Sequence, residues 1–409
     1  MKLLTVDTIE ETRKKLLECT AHWEVPVEYL DVSQALGRIL AKDINVPEDI
    51  PAFRRSTVDG YAVICKNTFG ASETQPVFLK LTGSVEMGKP TDFTLQNGEC
   101  VYVPTGGMIP DKADAMVMIE YTEAFNGEIA VYSSTAEGNY VVRIGEDARQ
   151  GSTLLKRGVK ILCAQTGALA AAGITQIPVY APLRLFIFSS GDELVDPSAL
   201  PRPGEIRDIN TMSLSALAKE SGFQIMGTQT LKDDEKLLED AVRNAMKEND
   251  IVILSGGSSQ GEKDMTEKVF SQIAKPGVFT HGLAIKPGKP AILGYDKDNE
   301  TILAGLPGHP VSALVVFKVL FSWLILQLTG QKEPYPIPAK LSCNLAGSPG
   351  RTVYQSVKLL SCGEGLTAQP VFGKSGMIST LTNADGYIII DINKEGLQKD
   401  EIVQVFLWN

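Results

Sequence analysis

Ile9, Leu16 and Leu17 share one helical face, with the acids Asp7, Glu10 and Glu11 ahead of them and Lys14 and Lys15 further along. That charge order suits the helix macrodipole and predicts a short amphipathic helix. Ser33 as an N-cap, followed by Leu36, Ile39 and Leu40 at helical spacing, predicts a second helix packed against the first. From about Val46 to Val142 the pattern changes to short alternating runs (PVFLKLTG, GECVYVPTGG, ADAMVMIE, GEIAVYSS) broken by Gly and Pro, which reads as a β-rich unit. Residues Gly158 to Gly173 return to helix, with the run Ala168 to Ala172 closed by a glycine. The helices on either side of the β unit are therefore expected to form one domain into which it is inserted.

Beyond Pro182, apolar strands recur about every 30 to 50 residues with helices between them, the rhythm of a parallel α/β sheet. Leu183 to Phe188 leads into SSGDEL, Ile251 to Leu254 into SGGSSQGEKD, and Ile302 to Ala304 into GLPGHPVSA. Helices are expected over Asp208 to Glu220, from about Asp233 to Lys247, from Asp264, and from Pro310 to Leu328, with QIMGTQT as a strand between the first two. Past Gly330, the strand-like pieces Ala339 to Leu345, Thr352 to Leu359, Tyr387 to Ile390 and Val403 to Leu407 predict a small all-β domain. The fold class is therefore α/β plus β, in four domains. They are a discontinuous helical linker domain (1–45 and 143–178), an inserted β-rich domain (46–142), an α/β domain (179–329) and a C-terminal β domain (330–409).

The length agrees, since 409 residues at about 150 per domain call for more than one core. A hydrophobic share of 44% with 22% charged residues excludes disordered, collagen-like and coiled-coil chains. Lys and Arg number 39 against 49 Asp and Glu, for a net charge of −10. No global positive field draws this chain to nucleic acid or acidic lipid, and any anionic ligand has to be met locally. The six cysteines include no CxxC pair, and His22, His281 and His309 show no metal-ligand spacing. The N-terminus turns acidic within ten residues and has no signal-peptide core, and Leu314 to Leu328 is short for a membrane span and interrupted by Lys318 and Gln327. A reducing cytoplasmic setting and a buried helix are the expectations.

In open α/β sheets, ligands lie beyond the carboxyl ends of the strands, so the loops after them are where chemistry is expected. After Leu254, the small residues Ser255, Gly256, Gly257 and Ser258 let backbone N–H groups approach a phosphate or similar oxyanion. The same glycines also suit a plain tight turn, and the pattern is neither a P-loop nor a dinucleotide fingerprint. Glu193, Asp233 and Asp264 sit at these loops, and a magnesium ion would reconcile such acids with a phosphate, although Asp233 and Asp264 are equally placed to cap helices. Lys286 and Lys289 stand on the Pro- and Gly-stiffened stretch AIKPGKPAILG, as point charges for an oxyanion or as solvated lysines. Within the β unit, Asp59 precedes Gly60 and Thr105 precedes two glycines, each fit to present a side-chain oxygen beside free backbone donors or to make an ordinary turn.

Eight segments stand in a telling order: FRRSTVDGYAV, PTGGMIPDKADAMVMIE, GEDARQG, SSGDELV, GEIRDIN, SGGSSQGEKD, IKPGKP and GLPGHPVSA. Together they resemble the MoeA-type molybdopterin molybdenumtransferases (molybdenum insertases), the family of the gephyrin E domain. The resemblance implies that adenylyl-molybdopterin and molybdate are converted to molybdenum cofactor and AMP with magnesium assisting. It also implies four domains, among them an α/β domain like other molybdopterin-binding domains and a barrel-like C-terminal β domain, and an elongated homodimer supplied by an upstream molybdopterin adenylyltransferase; the charge and hydropathy above leave no nucleic-acid or membrane partner expected. Carried onto matching positions, Glu193, Asp233 and Asp264 would serve the nucleotide and magnesium, Pro307 and Pro310 would shape the wall, and Lys286 and Lys289 would form the basic loop. Asp59 and Thr105 match motifs that approach from the partner subunit, and Ser375 in GKSGM resembles a serine lining the cleft. The chain departs from the family at His309, where GLPGNPVS is common, and at Ser258 and Gln260, where GGVSVG is common. An adenylyltransferase-like enzyme and a non-catalytic molybdopterin carrier or scaffold are the competing readings, and tungstate is an alternative oxyanion.

Overall fold

Alternate residues of the central strands belong to two different cores: Ile251 and Ile253 pack with Leu185, Ile187, Leu214 and Phe317, whereas Val252 and Leu254 pack with Phe188, Val242, Phe270 and Leu303. A strand buried on both faces needs apolar side chains at every position, which is why these strands read as continuous apolar runs. The computed structural model describes residues 6–256, 260–363 and 365–408, without the side chains of 260–264 and 362. The chain divides into two compact units, Tyr29–Ile177 and the N-terminal segment to Glu28 together with Pro178–Asn409.

In the second unit, six strands form the α/β sheet: β1 Arg184–Ser190, β2 Gln224–Leu231, β3 Ile251–Gly256, β4 Pro276–His281, β5 Ile292–Asp296 and β6 Thr301–Pro307. Their spatial order is β2-β1-β3-β6-β5-β4. β2, β1, β3 and β6 run parallel, while β5 is antiparallel to both β6 and β4. The antiparallel edge is a departure from the all-parallel expectation. Its β5 strand follows the Pro- and Gly-rich stretch directly, with no helix to announce a new strand, although all five of its residues are buried.

The helices Asn210–Glu220, Glu235–Met246 and Gln260–Ile273 cover the sheet, with a longer one after β6. That last helix runs 20 residues from Pro310 to Thr329 and is long and apolar enough to cross a membrane by length and composition, but 67% of its most apolar stretch is buried inside the fold. Pro310 opens it, and Lys318–Ser322 widen into a π-helical turn. Into that turn reaches Arg13, whose Nε and Nη2 donate to the Val319 carbonyl at 3.0 and 2.9 Å while its guanidinium lies 4.6 Å from the Trp323 ring centre. The helix Ile9–Cys19 thus spends its apolar face, Ile9 and Leu16, on the α/β core.

The second predicted N-terminal helix does not form. Asp31 caps only a 3₁₀ turn, Val32–Gln34, and Gly37 at φ +80° then turns the backbone out of helical geometry, leaving Leu36 69% exposed. The later helix spans Cys163–Ala171 and ends as expected on a left-handed Gly173. Between them lies a six-stranded sheet whose strands include Gly60–Val63, Glu99–Val103 and Ala115–Met118.

The C-terminal strands Ile337–Leu341, Thr352–Cys362, Gly365–Pro370, Gly386–Ile390 and Ile402–Leu407 close into a five-stranded barrel. Closure comes from the long Thr352–Cys362 strand, which pairs with both Gly365–Pro370 and Gly386–Ile390. Alternate residues such as Leu341, Val357, Ala368, Ile388 and Val405 fill its interior.

Candidate active site

Four parallel strands end on one level. Leu231 of β2 lies opposite Ser190 of β1, Ser190 opposite Gly256 of β3, and Gly256 opposite Pro307 of β6. Because the chain leaves β1 toward β2 and returns on the other side at β3, the strand order reverses between β1 and β3, which is where open α/β sheets form a crevice. Glu193, Asp233 and Pro310 leave from this level within three residues of their strands, and Gly256 and Pro307 are strand ends themselves. The approach is tight at Gly256, where a Cβ would stand 2.8 Å from Ser190 Oγ.

The acids separate into different situations. Glu193 folds back over its own loop, since a Cβ on Gly191 would lie 2.9 Å from Glu193 Oε2. The helix after β2 is capped by Asp234, which accepts the Leu237 N–H at 2.8 Å, and not by Asp233. Capping therefore does not account for Asp233. Neither Glu193 nor Asp233 has a side-chain hydrogen bond or ion pair among the described residues. Asp264 lies inside the helix Gln260–Ile273 and does not start it, so the capping reading fails there too; its side chain, with Gly257 and Ser258, lies outside the described residues. No three His, Cys, Asp or Glu side chains converge as a metal set among the described residues. Two unpaired carboxylates suit magnesium, which takes one or two protein carboxylates and fills its remaining positions with water and phosphate oxygens.

The segment GEIRDIN supplies two groups that the sequence reading left without a role. Asp208 is 4% exposed. Its carboxylate accepts from the hydroxyls of Ser189 (3.1 Å), Thr211 (2.6 Å) and Thr230 (2.9 Å) and from the Thr211 N–H (3.0 Å), tying the ends of β1 and β2 to the start of the helix Asn210–Glu220. Asn210 then donates through Nδ2 to Ser255 Oγ and to the Gly308 carbonyl, both at 2.8 Å, joining β3 to the loop after β6. A carbonyl partner can only accept, which fixes the amide orientation. The signal for Asp208 was present: an acid three residues before Thr211, ahead of an apolar helical run.

Lys286 and Lys289 are both exposed. Lys286 sits in a short strand paired with Thr352–Val353 of the barrel, and Gly288 at φ +113° between them packs so closely that a Cβ would stand 2.7 Å from Val316 Cγ2. The loop is closely packed at Gly288, but no hydrogen bond or ion pair joins its lysines to Glu193 or Asp233 among the described residues. Ser375, from the barrel domain, bonds to His309 in the loop after β6. In the other unit the structure brings Asp59 and Thr105 together, with the Thr105 N–H donating to Asp59 Oδ1 at 2.8 Å. Gly60 beside them has no room for a side chain, because a Cβ would fall 2.0 Å from the Val117 carbonyl oxygen.

Three family models cover nearly the whole chain: the MoeA N-terminal region (domains I and II) at residues 7–173, a probable molybdopterin binding domain at 186–326 and the MoeA C-terminal region (domain IV) at 338–408. The chain belongs to the MoeA family. The molybdopterin molybdenumtransferase of Haemophilus influenzae is 31% identical over 408 residues, 98% of each chain. That of Bacillus subtilis is 30% identical over 387 residues, 93% of this chain and 89% of its own. Among solved structures, a molybdopterin biosynthesis MoeA protein from Pyrococcus horikoshii matches with a TM-score of 0.86 at 27% identity, covering 98% of this chain and 100% of its own. The carboxyl-end row lies within the matched molybdopterin-binding region of this MoeA chain, and the Asp59–Thr105 pair within its matched N-terminal region.

Proposed function

We propose that the chain is a molybdopterin molybdenumtransferase that inserts molybdate into adenylyl-molybdopterin and releases AMP, acting as a cytoplasmic homodimer downstream of a molybdopterin adenylyltransferase. The observation that carries this reading is the level row of four strand ends at the switch point, flanked by the unpaired carboxylates of Glu193 and Asp233. Magnesium, when bound there, would neutralise the phosphoanhydride and the leaving AMP. Glu193 and Asp233 are assigned to hold it, with Asp264 as a third acid by family likeness.

Gly256 gives the backbone of β3 close approach to the ligand, and Gly257 and Ser258 extend that approach. Pro307 and Pro310 hold the neighbouring loop rigid. Asp208 and Asn210 position the three strand ends and touch no reacting group. Lys286 and Lys289 supply point charges for molybdate. Breaking a phosphoanhydride calls for charge stabilisation more than for a covalent nucleophile, so a site without cysteine suffices.

The purified chain with adenylyl-molybdopterin, magnesium and molybdate is expected to release AMP and form molybdenum cofactor, tungstate competing with molybdate. No AMP under conditions where a relative of this family turns over refutes the assignment. The homodimer assigns Asp59 and Thr105 to the second copy's substrate. Mixing an inactive Asp59→Ala chain with an inactive Glu193→Ala chain then restores part of the activity, and failure to complement counts against shared sites.

A further inference from the structure

His309 stands between Gly308 and Pro310 at the end of β6, and its imidazole is exposed. Its Nδ1 lies 2.8 Å from Ser375 Oγ, so a residue of the α/β loop and a residue of the barrel domain share a hydrogen bond. Ser375 is held a second time, because its carbonyl accepts the Val311 N–H at 3.2 Å.

The second bond has a structural cause. The first N–H groups of a helix have no partner within it. Pro310 has none to offer, and Ala313 already donates to the His309 carbonyl, so Val311 finds its acceptor in Ser375. Among the described residues, the stretch 372–376 makes no other hydrogen bond to a distant part of the chain. Its preceding anchor is Val371, whose N–H donates to the Ser356 carbonyl at 2.9 Å and whose carbonyl accepts from Gln355 Nε2 at 2.9 Å. The flanking residues Phe372, Lys374, Gly376 and Met377 are exposed. Gly376 lies along the imidazole edge, where a Cβ would come 3.8 Å from Cδ2 and 4.0 Å from Nε2 of His309, so no side chain covers that edge from there.

We propose that His309 is a positioning residue for the insertion reaction: with the Val311 N–H it docks the barrel's 372–376 stretch on the carboxyl ends of the sheet and sets Ser375 beside the substrate. It acts through Ser375 and does no proton chemistry of its own. The inference rests on the assignment of that crevice to adenylyl-molybdopterin. If only the docked state binds substrate well, weakening the latch raises the apparent KM by the inverse of the docked fraction and leaves kcat unchanged.

The test uses the intact, ligand-free protein and amide hydrogen exchange at Val311, whose N–H is protected only while Ser375 is docked. His309→Ala and Ser375→Ala are each expected to speed Val311 exchange about fivefold, the worth of one ordinary hydrogen bond. The double variant exchanges no faster than either single one, because both remove the same interaction. In His309→Ala the KM for adenylyl-molybdopterin rises by the ratio of the docked fractions that Val311 exchange gives for the two proteins, and His309→Asn, which can still bond to the hydroxyl, restores part of both. Val311 exchange unchanged in His309→Ala, additive effects in the double variant, or a KM that does not follow the docked fractions each overturn the latch. Absence of AMP release by the unaltered chain would instead remove the assigned reaction, and the exchange result would then decide the docking by itself.

Discussion

Asp59 Oδ1 accepts the Thr105 N–H at 2.8 Å, fastening the residue before the strand Gly60–Val63 to the residues after its neighbour Glu99–Val103. An acceptor at this position is what the turn needs. Asp59→Ala leaves the Thr105 N–H to solvent and is expected to lower stability by about 1 kcal/mol, while Asp59→Asn keeps a carbonyl there and stays within about 0.5 kcal/mol. Denaturant midpoints of the two variants check the ordering. Equal losses would mean that the charge, not the hydrogen bond, holds the turn.

At Gly256 the constraint is steric. An alanine there would place a methyl group 2.8 Å from Ser190 Oγ, between two central strands that cannot separate without breaking their ladder. Gly256→Ala is expected to cost about 1–3 kcal/mol. Removing the opposing oxygen should return much of that loss, so the pair Gly256→Ala with Ser190→Ala should be more stable than Gly256→Ala by itself. A double variant no better than the single one would show that the strain lies elsewhere.

Two adjacent acids should separate cleanly. Asp234 caps the helix Glu235–Met246, so Asp234→Ala is expected to lose about 1 kcal/mol of stability with AMP release unaffected. Asp233 carries no such bond. Asp233→Asn should leave stability within about 0.5 kcal/mol, the ordinary range for a surface change, and raise the magnesium concentration needed for half-maximal turnover. A magnesium titration of both variants decides, and an unchanged requirement in Asp233→Asn removes that residue from the proposed metal site.

Alkaline stability has a named contributor. Burial pushes the Tyr387 phenol up to about 12, whereas in the unfolded chain it ionises near 10. Above pH ~10 the unfolded chain therefore gives up this proton while the folded chain keeps it, so stability is full below the unfolded value and falls as pH rises toward the folded one. Tyr387→Phe has nothing to ionise and should show a shallower fall of Tm between pH ~10 and ~12. Identical slopes for the two proteins would contradict this.

Much of the α/β unit was legible because a strand covered on both faces must be apolar throughout, and Ile251 to Leu254 allow little else. The Pro310 helix start and the Gly173 stop were legible because φ preferences act locally. The segment after Ser33 misled for the complementary reason. Leu36, Ile39 and Leu40 have helical spacing, but a short apolar pattern does not say whether a partner exists, and Asp31 with Gly37 imposes a turn. The antiparallel β5 is not legible in the sequence because Gly288 and Pro290 directly before it are loop formers and no helix separates it from them.

The chain's order of residues by itself determined which loops could carry chemistry, since turn formers, acids and lysines after apolar runs are local facts, and the ordered motifs pointed to the MoeA family. Only the tertiary structure decided how those loops are used. It made Asp234 and not Asp233 the cap, turned Asp208 into the buried tie between strand ends, and set His309 against Ser375, 66 residues away in the chain. Such pairings follow from the register of the sheet and from where the barrel docks. They are fixed by packing over long sequence separations, which no local pattern of polar and apolar residues encodes.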